Sequence, residues 1–199
     1  SSHRFDPPHR PRRLNTALDV FSMIPEVLRP RAFGSLAQES WEDYICRVGL
    51  PDDVALAQFY RQVLYDNFDS FNSQCPSFEL CNYGFEVIDL SASEVCKQVV
   101  FRNMELLEIW SEQFDEYESR NYGYIIYQWM ATHLTFPFPP ILISNQLKGE
   151  NCEMNQVPFE LIEGTHRVGY LRRMLTRGLI TPESRHRFVL LTPKDNGEK

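Results

Sequence analysis

Apolar residues in the first half of the chain recur at helical spacing. Over residues 52–75 they follow one another at threes and fours, which predicts an amphipathic helix capped by one of two aspartates at its start. Shorter helices are predicted after Ser40, whose side chain can cap one, and over residues 14–24. Residues 14–82 are therefore expected to form a helical region whose aromatic face packs on a sheet formed later in the chain.

Strand-like segments appear only after residue 83. Short β-prone runs at 84–90, 141–144, 159–162 and 186–192 are separated by turn-forming or helical stretches. This order predicts an α+β fold with a small mixed sheet in residues 83–193. The first 13 residues, rich in proline and arginine, are expected to be a disordered basic tail, and residues 194–199 a second loose tail.

Two helices are predicted between the first and second of these strands. A long helix capped by Ser91 or Ser93 carries an apolar stripe from Val95 to Tyr117, and acidic residues dominate its other face. Residues 122–136 fit either a buried strand or a helix, and the length of the run favours the helix. The acidic face over residues 94–118 is read as a solvated surface, with a basic protein partner as the alternative.

A sharp strand–turn–helix transition lies at residues 158–178. Gly164 permits the turn, Thr165 occupies the predicted N-cap position, and Gly178 is the predicted stop. The N-terminus of a helix presents unpaired N–H groups and partial positive charge, which suit an anion. His166 and Arg167 stand at this end: the arginine can bind phosphate oxygens, and the histidine can donate a hydrogen bond or, as a candidate catalytic residue, relay a proton. The local chemistry therefore predicts a phosphate site.

The segment Gly164-Thr165-His166-Arg167, placed between an apolar strand and a helix, resembles the phosphate-binding turn of the ParB/sulfiredoxin superfamily. Sulfiredoxins carry Gly-Cys-His-Arg there, and ParB-like nucleotide-binding domains carry a related Gly-x-x-Arg. The strand at 141–144 and the closing strand at 187–191 fit the same family pattern. The resemblance covers roughly residues 83–193 and is densest over 139–193. It implies a sheet of ParB/sulfiredoxin type, extended by the N-terminal helices and a long insertion helix.

The resemblance also implies roles for particular residues. Gly164, Thr165, His166 and Arg167 would hold the phosphates of ATP or another nucleoside triphosphate, with Mg²⁺ as a further expected cofactor. Glu163 would orient His166 or a metal-bound nucleotide. By analogy with the free-serine-kinase branch, Glu94 is a candidate general base. Because Thr165 replaces the sulfiredoxin cysteine, reduction of sulfinic acids is not expected.

Charge is distributed unevenly over the chain. The net charge is −7, yet residues 32–160 hold six basic against twenty acidic side chains. Such a surface argues against coating duplex DNA. No apolar run approaches the roughly 20 residues of a membrane span, and no signal peptide is visible. Five scattered cysteines without a CxxC pair predict reduced thiols, and the chain is expected to be cytoplasmic.

Three functions remain open from the sequence. The first is nucleotide binding at residues 164–167, with hydrolysis or transfer of phosphate as an extension that needs an in-line acceptor. The second is a non-catalytic protein-binding module, such as an antitoxin, immunity or regulatory protein, that keeps the fold. The third is a ParB-like nuclease, which the acidic middle of the chain disfavours. No metal-ligand set is evident, and His133 and Lys148 are only weak candidates for chemistry.

Overall fold

The computed structural model describes residues 24–50, 52–144 and 158–194. They form an α+β fold in which helices pack on an open five-stranded mixed sheet. Several predictions fall outside the described residues: the tail at 1–13, the helix over 14–24 except its last residue, the loop at 145–156 with Lys148 and Cys152, and the tail after residue 194.

Seven α-helices and five strands occur in this part of the chain. The helices are α1 (Trp41–Val48), α2 (Val54–Phe59), α3 (Phe68–Gln74), α4 (Ala92–Gln98), α5 (Met104–Arg120), α6 (Ile125–His133) and α7 (Thr165–Thr176). The strands are β1 (Tyr83–Ser91), β2 (Val99–Val100), β3 (Ile141–Ser144), β4 (Phe159–Glu163) and β5 (Arg185–Pro193). A π-helical turn (Tyr60–Tyr65) follows α2 directly, and 3₁₀ turns occur at Glu26–Leu28 and Leu80–Asn82.

The strand order in the sheet is β1-β5-β3-β4-β2. β5 pairs antiparallel with β1 and parallel with β3, while β4 pairs antiparallel with β3 and parallel with β2. Near the end of β4, Ile141 lies opposite Glu163 but Leu142 lies opposite Leu161, which leaves Ile162 as an extra residue. This irregularity stands directly before the predicted phosphate turn, a position where bulges often redirect a side chain.

The sheet is buried on both faces. Phe188 and Leu190 of β5 join a core with α4–α7, whereas Val189 and Leu191 join a second core with the N-terminal helices. Successive side chains of a strand point to opposite faces, so β5 separates the two cores. The N-terminal helical region packs on the sheet through this second core. Phe59, Phe71 and Phe78 pack edge-on or stacked within that second core.

Helix boundaries follow the predicted caps in part. The Ser40 and Asp53 side chains accept hydrogen bonds from the backbone N–H groups of Asp43 and Leu56, and α1 ends at Gly49 in the left-handed region. The prediction of one helix over 52–75 is wrong, because the π-helical turn and a break separate α2 from α3. The helix favoured over residues 122–136 is confirmed as α6.

The single long acidic helix is also wrong. Ser91 caps only α4, after which Val99 and Val100 form β2 beside β4, and Asn103 caps α5 as a separate helix. The two-residue strand is stabilised by its parallel neighbour, a contact that the helical periodicity of the stripe does not reveal. Residues 181–184, between α7 and β5, form a tight turn in which the Ser184 N–H group donates to the Thr181 carbonyl.

Helices α5 and α7 lie in unusually close contact. A Cβ atom at Gly169 would lie 2.9 Å from Trp110 Cβ and 3.1 Å from the Leu107 carbonyl oxygen, so the glycine allows the two backbones to approach. Ion pairs join the outer sides of the helices: Arg172 with Glu108, Arg173 with Asp115, and Arg177 with Asp115 and Glu118. Part of the acidic face, which the sequence predicted to be a solvated surface with a basic partner as the alternative, is therefore neutralised within the fold.

Candidate functional site

The turn between β4 and α7 depends on Gly164. Its φ angle is +109°, a conformation that side chains disfavour, and it is the N-cap residue of α7. Thr165 is the first helical residue, so its predicted capping role is wrong. A Cβ atom on Gly164 would lie 2.7 Å from Pro140 Cβ and 3.0 Å from Arg167 Nη2. Two independent reasons therefore require glycine at this position: the backbone conformation and the lack of space for a Cβ atom.

A cavity of about 460 Å³ opens at this turn. Three of its walls are aromatic, contributed by Trp110 of α5, Tyr124 before α6 and Phe138 before β3. Its polar lining comes from two distant parts of the chain, the end of the π-helical turn and the start of α7; these residues are Gln62, Asp66, Asn67, Glu163, Gly164, Thr165, His166 and Arg167. The cavity thus places planar apolar surface beside the N-terminus of a helix.

Arg167 lies in the wall of this cavity and is only 2% exposed. Its Nη1 donates to the Phe138 carbonyl at 2.8 Å, and its Nη2 donates to Gln62 Oε1 at 2.8 Å. The guanidinium also lies 4.4 Å from the centre of the Phe138 ring. Burial lowers the pKa of Arg167 to about 10, so the side chain remains a cation at neutral pH. Arg167, which the sequence predicted to bind phosphate, is therefore already hydrogen-bonded within the protein. Its charge contributes positive potential from behind the turn.

His166 is packed between two aromatic residues. Its Nδ1 is hydrogen-bonded to the Tyr124 hydroxyl at 2.8 Å, and its ring centre lies 3.3 Å from that of Trp110. Burial, together with the nearby Arg167 charge, lowers the pKa of His166 to about 4. The imidazole is neutral at pH 7, which suits hydrogen bonding to a ligand better than proton transfer.

Two carboxylates share the cavity. Glu163 is 3.6 Å from Arg167 Nη2, and burial raises its pKa against the opposing effect of that charge. Asp66 is 3.5 Å from Arg61, and burial raises its pKa as well. The negative charge of Asp66 also contributes to raising the pKa of Glu163, so the two carboxylates repel each other across the cavity.

Glu94 does not reach this site. Its carboxylate accepts the Ser91 N–H group at 2.7 Å while the Ser91 hydroxyl accepts the Glu94 N–H group, a reciprocal capping box at the start of α4. These bonds lower the pKa of Glu94, and the residue is absent from the cavity lining. The carboxylate considered as a general base therefore serves a structural role in α4.

Sequence reasoning missed several residues of the cavity. Gln62 and Asp66 stand four residues apart, which places them on one side of a helix, and that spacing was the one available signal. Trp110, Tyr124 and Phe138 had no distinguishing pattern, because each is also a plausible core residue. His133 stacks on Trp129 with ring centres 3.9 Å apart, away from the cavity lining.

No set of three or more histidine, cysteine or acidic side chains is arranged to hold a metal ion in residues 24–50, 52–144 and 158–194. The helices of this same part of the chain also lack the combination of length and apolar character that crossing a bilayer would require. Comparisons with protein-family models, curated proteins and solved structures each gave no match.

Proposed function

We propose that the chain binds a nucleoside triphosphate in the cavity beside Gly164, with the phosphates at the N-terminus of α7 and the base against the aromatic walls. The observation that carries this proposal is the opening of a twelve-residue helix directly into a cavity of about 460 Å³. The first hydrogen bond back to the turn comes from the Val168 N–H group, so the preceding N–H groups of α7 are available to an anion.

The aromatic walls support a nucleotide over a simple anion. Nucleobases stack on aromatic side chains irrespective of their hydrogen-bonding pattern. Trp110, Tyr124 and Phe138 provide such surfaces, and the size of the cavity is within the usual range for small-molecule sites. The resemblance of the turn to that of the ParB/sulfiredoxin superfamily points to the same ligand class and is part of the proposal.

A divalent cation would reduce the repulsion between the phosphates of the ligand and the carboxylates of the site. Phosphates at α7 would face Glu163 and Asp66, which repel them. Mg²⁺ is commonly held by one or two carboxylates together with substrate phosphates, and these two acids suit that arrangement. The neutral His166 and the engaged Arg167 support binding better than phosphoryl transfer, which also requires an acceptor placed in line.

The test is thermal unfolding with a panel of nucleotides and Mg²⁺, because a ligand of the native state raises its melting temperature. Thr165→Glu places a negative charge at the first position of α7, where the helix dipole tolerates or favours it but a phosphate would be repelled. Val54→Glu makes the same change at the first position of α2, on a side chain that is 73% exposed.

We expect at least one nucleotide to stabilise the parent and Val54→Glu but not Thr165→Glu. Without ligand, Thr165→Glu should unfold at or near the parent temperature. A nucleotide shift that persists undiminished in Thr165→Glu, or no shift of the parent with any nucleotide, would contradict the proposal. Arg167→Ala is unsuitable for this purpose, because losing the buried hydrogen bonds of Arg167 would destabilise the chain even without a ligand.

Protein binding remains the second candidate because of an exposed apolar surface on α6. Ile125 is 76% exposed and Trp129 is 43% exposed, and they stand four residues apart on one side of the helix. The single-site variants separate the two functions. A partner complex should be lost in Ile125→Lys and kept in Thr165→Glu, whereas nucleotide binding should show the reverse pattern.

A further inference from the structure

A second cavity shares Phe138 with the first. Its volume is about 430 Å³, and it is formed where the approach to β3 passes the ends of β1 and β5. Its lining consists of Asp89, Thr135, Phe136, Pro137, Phe138, Pro139, Arg185 and Arg187. None of these residues except Phe138 lines the cavity at α7. The two spaces are therefore distinct, with one aromatic side chain common to both.

Two arginines give the second cavity an excess of positive charge. Arg185 and Arg187 are two residues apart on β5, so they point to the same side of the sheet, and both are exposed. Arg185 Nη2 donates to the Asp89 carbonyl oxygen, and Arg187 lies opposite Asp89 in the strand register. The lining of the cavity thus contains two guanidinium groups and one carboxylate. His186 between them points the other way, buried beside Phe136.

Phe138 lines both cavities and is held in place by its neighbours. Prolines on both sides restrict the backbone, and Arg167 both lies over the ring and donates to the Phe138 carbonyl. The side chain is nevertheless 38% exposed. Because Arg167 lies over one face of the ring, a base of the ligand can stack on the other face, and a rigid aromatic ring loses little conformational entropy when it does so.

From this arrangement we infer that the ligand is a dinucleotide. It carries its 5′-triphosphate at α7 and a 3′-phosphodiester at Arg185 and Arg187, with its second nucleoside in the second cavity. The inference rests on the proposed function and adds a second subsite to it. Arginine suits a phosphodiester because its planar group donates two parallel hydrogen bonds to phosphate oxygens. The acidic excess of residues 32–160 disfavours a long polyanion, so the ligand is expected to end after the second nucleotide.

The test compares three ligands of matched sequence by calorimetric titration in the presence of Mg²⁺. They are a nucleoside triphosphate, the 5′-triphosphorylated dinucleotide that begins with the same base, and a 5′-triphosphorylated decanucleotide. Each is titrated into the parent, into the double variant Arg185→Gln/Arg187→Gln, and into Arg120→Gln. Arg120 is an exposed arginine at the end of α5, outside both cavities, and Arg120→Gln serves as the control for the loss of a surface positive charge.

In the parent we expect the dinucleotide to bind about tenfold more tightly than the triphosphate, which corresponds to ~1.4 kcal/mol. The double variant should lose this advantage while keeping its affinity for the triphosphate, and Arg120→Gln should keep both. Equal affinities in the parent, or an advantage that survives in the double variant, would overturn the second subsite alone. A decanucleotide that binds a further tenfold more tightly would overturn the dinucleotide in favour of a single strand. Failure of all three ligands to bind would remove the proposed function and this inference together.

Discussion

The bond between Arg167 and Gln62 is predicted to stabilise the fold in the absence of any ligand. Gln62 Oε1 accepts from Arg167, while its Nε2 donates to Gln58 Oε1 and to the Pro139 carbonyl, each at 3.0 Å. Gln62→Met keeps similar volume but removes all three bonds. A hydrogen bond to a charged group contributes about 1.5–3 kcal/mol and a neutral one about 0.5–1.5 kcal/mol. We therefore expect the free energy of unfolding to fall by ~3 kcal/mol.

The measurement is urea unfolding of the ligand-free chain, followed by both fluorescence and circular dichroism. Gln58→Met is the matched control, because it removes only the one neutral bond to Gln62 and should cost less than ~1.5 kcal/mol. A double-mutant cycle with Arg167→Met isolates the central bond. We expect a coupling free energy of about 1.5–3 kcal/mol between positions 62 and 167.

A coupling below about 0.5 kcal/mol would refute the reasoning, because distant independent sites are additive to that level. In that case Arg167 would not depend on Gln62 for its position. The same outcome would return Arg167 to the role predicted from the sequence, that of a side chain free to bind phosphate directly. The cycle thus separates a structural arginine from a ligand-binding one without requiring the ligand.

Other consequences of the structure can be measured directly. Gly164→Ala should destabilise the fold by ~3 kcal/mol in urea unfolding, since it adds the strain of a positive φ to a clash with Pro140. Gly169→Ala should cost about 1–3 kcal/mol through contact with α5, whereas Gly123→Ala, with open space around it, should be nearly neutral. Because the pKa of His166 is about 4 when folded and near 6.5 when unfolded, the parent should lose stability as pH falls from 6.5 toward 4, by at most ~3 kcal/mol; His166→Gln should show a smaller loss over that range. Chelation of Mg²⁺ should weaken nucleotide binding to the parent, and Asp66→Asn should reduce that dependence; an unchanged response to chelation would exclude Asp66 as a ligand.

The parts of the fold with local signals could be predicted from the sequence. The strand and turn before α7, the closing strand β5 and the caps at Ser40 and Asp53 each depend on residues close together in the chain. Gly164 indicated a turn, but the sequence did not reveal that Pro140 packs where a Cβ atom of residue 164 would stand. Local patterns therefore predicted where these elements begin and end, but they did not predict the long-range contacts that hold them there.

The parts that failed depend on distant contacts. Val99 and Val100 fit the apolar stripe of a helix, and only the pairing with β4 makes them a strand. The hydrogen-bond partner of Arg167 could not be predicted either, because Gln62 is 105 residues earlier in the chain. For the candidate site this matters most: the turn was predictable, but the cavity walls come from α5, from the segments before α6 and β3, and from the N-terminal region.

The π-helical turn at Tyr60–Tyr65 makes the number of residues there as important as their identity. Its hydrogen bond from the Asp66 N–H group to the Arg61 carbonyl encloses one residue more than an α-helical turn does. Deleting a single residue would allow an ordinary helix but rotate the preceding segment by about 100° relative to the following one. The buried side of α2, which carries Ala55 and Phe59, would then turn away from the second core while Asp66 still faced the cavity. Variation in length at this turn should therefore be less tolerated than substitution of its exposed side chains.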